Sequence, residues 1–163
     1  MKQCNSFLAV VLAIAWAAIP AQAIEFDLRF DKLVDALQLL PDADRESVNG
    51  VISMIKRGAH QEALQRLKVL NGGNPENSSL RLMTAYALLQ VGNALGALQE
   101  ADKAHEASNG NSYKCWFYSK VALLNGQSEA CKRELSHVKK AGDMPEEVKA
   151  LEKEMKEQQK KKS

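Results

Sequence analysis

Three glycines fix the organisation of this 163-residue chain: Gly58, Gly92 and Gly126 lie 92 − 58 = 34 and 126 − 92 = 34 residues apart. A fixed period of this length marks a chain built by stacking one supersecondary unit. Neighbouring positions keep step. Ala63, Ala97 and Cys131 each follow their glycine by five residues and are all small, and Pro41 and Pro75 stand the same 34 apart. Around each glycine the apolar residues recur at spacings of three and four, the pattern of an amphipathic helix. Leu82, Ala85, Leu88 and Leu89 precede Gly92, and Ala94, Ala97, Leu98, Ala101 and Ala104 follow it. Each period therefore predicts two helices joined at a glycine, where a helix end takes a residue of positive φ. Proline marks the passage to the next unit because it cannot continue a helix.

The run Glu62-Ala63-Leu64 after Arg57-Gly58-Ala59-His60, with Pro75 seventeen residues past the glycine, resembles the tetratricopeptide repeat signature. The resemblance covers three full repeats, at about 44–77, 78–111 and 112–145. It implies an all-α fold of antiparallel helix hairpins stacked as a short right-handed superhelix, an α-solenoid whose concave face is lined by the first helix of each pair. Asp31 to Leu40, followed by Pro41, matches the second helix of a partial repeat within 24–43. At the other end, Val148, Leu151 and Met155 form a one-sided stripe on an otherwise charged segment. This suits a C-terminal capping helix at 146–158 with a polar outer face. Residues 159–163 remain as a basic tail, with Lys160-Lys161-Lys162 read as a solvated, frayed end.

Two departures from the pattern bear on boundaries. Gly50 falls inside the expected first helix of the first repeat, at a cost of about 1 kcal/mol relative to Ala. The third repeat has no proline matching Pro75, although Asp143 and Pro145 flank the place. Small residues such as Ala63 and Ala85 let paired helices approach closely, and about three repeats are needed because none can bury its own apolar face.

The first residues carry Lys2, then an uncharged apolar run from Phe7 to Ile19, then Pro20-Ala21-Gln22-Ala23. Charged start, hydrophobic middle and small-residue end predict a signal peptide cleaved after Ala23, and Cys4 leaves with it. The apolar run is shorter than the roughly 20 residues that span a bilayer, so no stable membrane insertion is expected after cleavage. The mature chain of 163 − 23 = 140 residues carries 22 − 1 = 21 basic and 20 acidic side chains. That balance lacks the basic footprint of a nucleic-acid binder. Export points to the periplasm or to secretion.

Catalysis needs convergent acids, bases, nucleophiles or metal ligands, and few candidates exist. His60, His105 and His137 have no ligand-type partner at motif spacing and fall on second helices. Gly72-Gly73 continues into Asn74-Pro75, without the Lys-Ser/Thr of a phosphate cradle. No cofactor, no metal and no enzymatic activity are expected. Cys115 and Cys131 are an even pair, which in an oxidising compartment admits a disulfide. Hairpin geometry opposes it, since Cys131 should face Ser119, with Cys115 one turn of about 5.4 Å further along. Asn77-Ser78-Ser79 fits a glycosylation sequon, of consequence only in a eukaryotic secretory pathway.

The resemblance places Arg45, Val48 and Ile52 of the first repeat, Ser79, Leu82, Tyr86 and Gln90 of the second, and Tyr113, Trp116 and Lys120 of the third on the concave groove. Such a lining suits an extended or helical peptide, with Trp and Tyr supplying large contact area; the other reading packs Trp116 and Tyr86 between repeats. The subclass of the family that grips chaperone C-termini uses Lys, Asn and Arg where this chain has Val48, Ile52, Met83, Tyr113 and Phe117, so that clamp is absent. The expected function is a protein–protein interaction module, scaffold or assembly factor of the periplasm or cell envelope. It would bind a protein or peptide partner in the concave groove. The alternative is a structural subunit of an envelope complex that docks through its convex face or C-terminal helix.

Overall fold

The computed structural model describes residues 27–162. The expected leader at 1–23 lies outside the described residues, as do 24–26 and residue 163. What is described is all-helical, with no strand among the described residues. A 3-10 turn at Phe30–Lys32 leads into α1 (Val34–Gln38), α2 (Asp42–Lys56), α3 (His60–Gly73), α4 (Ser78–Gln90), α5 (Ala94–Glu106), α6 (Ser112–Leu124), α7 (Ser128–Ala141) and α8 (Pro145–Lys162). None of these helices is long and apolar enough to cross a membrane.

Three residues centred on Gly58, Gly92 and Gly126 join α2 to α3, α4 to α5 and α6 to α7, with glycine φ values of 81°, 81° and 75°. Each helix closes in the same way. The glycine N–H donates to Ile55, Leu89 or Leu123 O at 3.0, 2.9 and 3.0 Å, and the following N–H donates to Met54, Leu88 or Ala122 O at 2.9 Å. This double closure requires a left-handed residue, which is why glycine recurs there. The period in the sequence is thus a period in backbone geometry.

Helix starts follow the period too. Asn77 and Asn111, 111 − 77 = 34 residues apart, cap α4 and α6 through side-chain oxygens that accept from the N–H of Leu80 and Lys114 at 3.1 and 3.2 Å. The matching place in the first copy is Ala43. There α2 begins behind Pro41, with Asp42 and Asp44 in its first turn, where the positive end of the helix dipole favours acids.

The side chains repeat as buried columns. Val51, Ala85 and Ser119 on the first helices, and Ala63, Ala97 and Cys131 on the second, are all fully buried. Their small size brings α4 tightly onto α5 and α6 onto α7, while α3 against α4 and α5 against α6 link successive pairs. The Ser119 hydroxyl is satisfied by donating to Cys115 O at 2.8 Å. Leu67, Leu80, Leu82, Met83, Phe117 and Leu123 fill the space between helices, each side chain of this size contributing about 1.5–3 kcal/mol. One continuous core runs from Leu28 to Met155.

Both ends differ from expectation. Residues 31–40 do not form one second-type helix but a 3-10 turn and the five-residue α1, and α1 packs on α4. Its backbone is held from α4: Ser79 Oγ donates to Leu33 O at 3.1 Å, which also accepts from the Leu37 N–H, and Asn77 Nδ2 donates to Ala36 O at 2.7 Å where a longer helix would have the Leu40 N–H. At the other end Val148, Leu151 and Met155 bury the inner stripe of α8 against α6 and α7. The helix continues through the expected frayed tail to Lys162. Gln and Lys are good helix formers, and cations suit the negative end of the dipole.

Candidate binding face

The N-terminal segment reaches all three first helices, α2, α4 and α6, and the terminal helix α8. Phe30, Val34 and Leu37 stand with Val48 and Ile52 of α2 around an apolar cleft of ≈ 320 Å³. Leu28 and Leu33 are buried. The Arg29 N–H donates to the Tyr113 hydroxyl on α6 at 2.9 Å, and the Arg29 guanidinium pairs with Glu147 of α8 at 3.0 Å. A second cleft, of ≈ 460 Å³, is bounded by Asp27, Leu28, Phe30, Ile55, His60 and Tyr86.

The residues expected to line an open groove are therefore largely covered by the chain's own ends. Arg45 remains exposed, while Ile52, Gln90 and Lys120 are partly buried. Val48, Leu82, Tyr86, Tyr113 and Trp116 are buried. Trp116 stacks on Tyr113 with ring centroids 5.7 Å apart and donates its indole N–H to Glu147 O at 3.3 Å, so α8 rests on it. Lys120 of α6 is ion-paired with Glu154 of α8. Arg45, Val48 and Ile52 come together at the α1–α2 cleft. Ser79 is fully buried and serves as a donor to the segment.

Burial sets the electrostatics of this face. Desolvation pushes the Tyr113 phenol up to about 12, against the opposing effects of the Arg29 N–H and charge. Tyr86 is raised mainly by burial, with the Asp27 carboxylate adding to it.

The expected possibility of a disulfide is not realised: Cys115 and Cys131 are both free and buried. The Cys131 thiol lies 3.4 Å from the Met155 sulfur under α8, whereas the Cys115 thiol is influenced by Glu134 and Ser108. The two side chains leave α6 and α7 toward different neighbours. Burial raises both thiols, that of Cys131 to about 11.

Two features escaped the sequence reading. The first is the segment 27–38, whose only local trace is Leu28 and Leu33 standing among charged residues. The second is Lys114, which is buried one period after the fully buried Leu80 (114 − 80 = 34). The same place in the first copy holds the exposed Glu46, so alignment of the repeats does not single out Lys114, and only the structure shows that it is buried. Asn77, the sequon asparagine, spends its Nδ2 on Ala36 O and its Oδ1 on the α4 cap. Among the described residues no group of three or more His, Cys, Asp or Glu side chains is placed to hold a metal ion.

Scanned against protein-family models, the chain matches none, and it matches none of the curated proteins searched.

Proposed function

We propose that this chain is an exported interaction module of the tetratricopeptide type, three helix pairs in a short right-handed superhelix, which holds a segment of a partner protein across the concave face of its first helices. One observation carries the reading: the face already holds a peptide segment, the chain's own residues 27–38, in which a short non-helical stretch leads into the 3-10 turn and α1. It does so largely through the segment's backbone, with the Arg29 N–H on Tyr113, Leu33 O on Ser79 and Ala36 O on Asn77. Main-chain hydrogen bonds supply affinity for a segment that takes up this backbone shape, and the sites for Leu28 and Leu33 select apolar side chains. Export, to the periplasm or outside the cell, is supported by the charged start, apolar run and small-residue end of residues 1–23.

A partner segment takes these places by displacing residues 27–38. The test uses the full mature chain carrying Leu28→Asp and Leu33→Asp, which ejects the segment because burying unpaired carboxylates is costly. Fluorescence anisotropy then follows a labelled peptide of residues 27–38. The variant should bind it, the wild type should not, and a peptide carrying the same two aspartates should bind to neither. A variant with intact helical circular dichroism that ignores the unmodified peptide would sink the reading.

A further inference from the structure

Lys114 lies in the first turn of α6, next to a cleft of ≈ 580 Å³ at the N-terminal ends of α4 and α6, roofed by α1. The cleft wall includes Asp35, Ala36, Asn77, Ser78, Asn111 and Lys114. Only 7% of Lys114 is exposed. An ammonium has three N–H donors, and one of them reaches Ser78 Oγ at 2.5 Å. Among the described residues no carboxylate forms an ion pair with it, and Asp35 acts on it only at longer range. Burial accordingly lowers its pKa, partly offset by Asp35.

Burying a cation without a paired anion opposes folding, and the same place holds the fully buried Leu80 in the preceding repeat and the exposed Glu46 in the first, so a buried charge there is particular to the third repeat. A costly departure from the repeat beside a polar cleft is the place to look for function rather than packing. The missing partner is an anion able to take the two remaining donors. Asp35 and Glu76 line the same cleft and are exposed, so they repel a ligand with further negative charge. That disfavours phosphates and polyanions and favours a single carboxylate.

We propose that the cleft over Lys114 is a binding site for one carboxylate group borne on a neutral or cationic molecule, such as a free amino acid or the C-terminus of a peptide. The site shares α1 and Asn77 with the seated segment; it exists while residues 27–38 are in place and does not rest on their displacement by a partner.

The test titrates the full mature chain with glycine, triglycine, triglycine amide and inorganic phosphate, following the amide resonances of Ser78, Asn111 and Lys114. Saturable shifts with glycine or triglycine are expected, and weaker or no shifts with the amide and with phosphate. Glycine binding as tightly as triglycine identifies the free amino acid as the ligand class; preference for triglycine identifies the peptide terminus. Lys114→Met should weaken carboxylate binding about tenfold or more, the size of a hydrogen bond to a charged group. Asp35→Asn, a change at an exposed position, should tighten it severalfold by removing repulsion, and this second variant keeps the test valid if Lys114→Met misfolds. Absence of saturable shifts with either carboxylate overturns the proposal. So does an unchanged response in Lys114→Met, or no gain in Asp35→Asn.

Discussion

The backbone N–H of Arg29 donates to the phenolic oxygen of Tyr113 across 84 residues of sequence, at 2.9 Å. It fastens the N-terminal segment to α6, in a region where Trp116 stacks on the same ring. Tyr113→Phe keeps the ring and removes the acceptor, leaving the Arg29 N–H without its partner. The expected cost is about 1–3 kcal/mol. Hydrogen exchange should show the Arg29 and Leu33 amides accelerating while those in the middle of α6 stay protected; equal acceleration throughout would mean that the bond does not hold the segment separately.

The raised phenols make stability depend on alkaline pH. Tyr113 ionises near 12 when folded and near its ordinary 10 when unfolded. The protonated form is therefore favoured by the fold: this contribution is fully present below pH 10 and is lost as pH rises toward 12. Tyr86 and Tyr118 are shifted the same way, chiefly by burial. Near-ultraviolet phenolate absorbance should rise later in native than in denatured protein, and the denaturation midpoint should fall across the same interval. Coincident native and denatured titration curves would contradict the burial of these rings.

Iodoacetamide should leave native Cys115 and Cys131 largely unmodified at neutral pH and label both once denaturant is added, because the thiolate is the reactive form and both thiols are buried and raised. Mass spectrometry of residues 24–163, quenched at low pH, should find both thiols reduced. A bridged peptide containing the two cysteines would contradict the divergent placement of their side chains.

Two glycine substitutions should act in opposite directions. Gly50 lies within α2, and a Cβ there would meet nothing within 4 Å, so Gly50→Ala should stabilise by up to about 1 kcal/mol. Gly92 also has open space, but its φ of 81° strains any L side chain. Gly92→Ala should destabilise by about 1–2 kcal/mol. Urea denaturation of the two variants beside wild type checks both signs.

Much of the fold was legible because the repeat is written in local terms. A glycine after an amphipathic stretch reports a left-handed helix end, and Gly58, Gly92 and Gly126 all adopt one. Three-and-four spacing reports which face is apolar, and small residues at Ala63, Ala97 and Cys131 report close helix approach. The candidate binding face was legible only as a set of positions. Tyr86, Tyr113 and Trp116 lie on the first helices, but their coverage by residues 27–38 and by α8 depends on contacts between distant parts of the chain. A five-residue helix such as α1 is too short to hold itself together, so it depends on being held by Ser79 and Asn77 rather than on its own pattern.

The amino-acid sequence by itself determined the period, the helical class, the turn glycines and the buried columns, since each follows from backbone geometry and spacing within a few turns. Only the tertiary structure decided that the chain closes over its own first helices, that Cys115 and Cys131 part company, and that Lys114 is buried without an ion-pair partner among the described residues. Those outcomes depend on which surfaces meet after the helices stack, and contacts between surfaces that are remote in sequence leave no periodic trace in it.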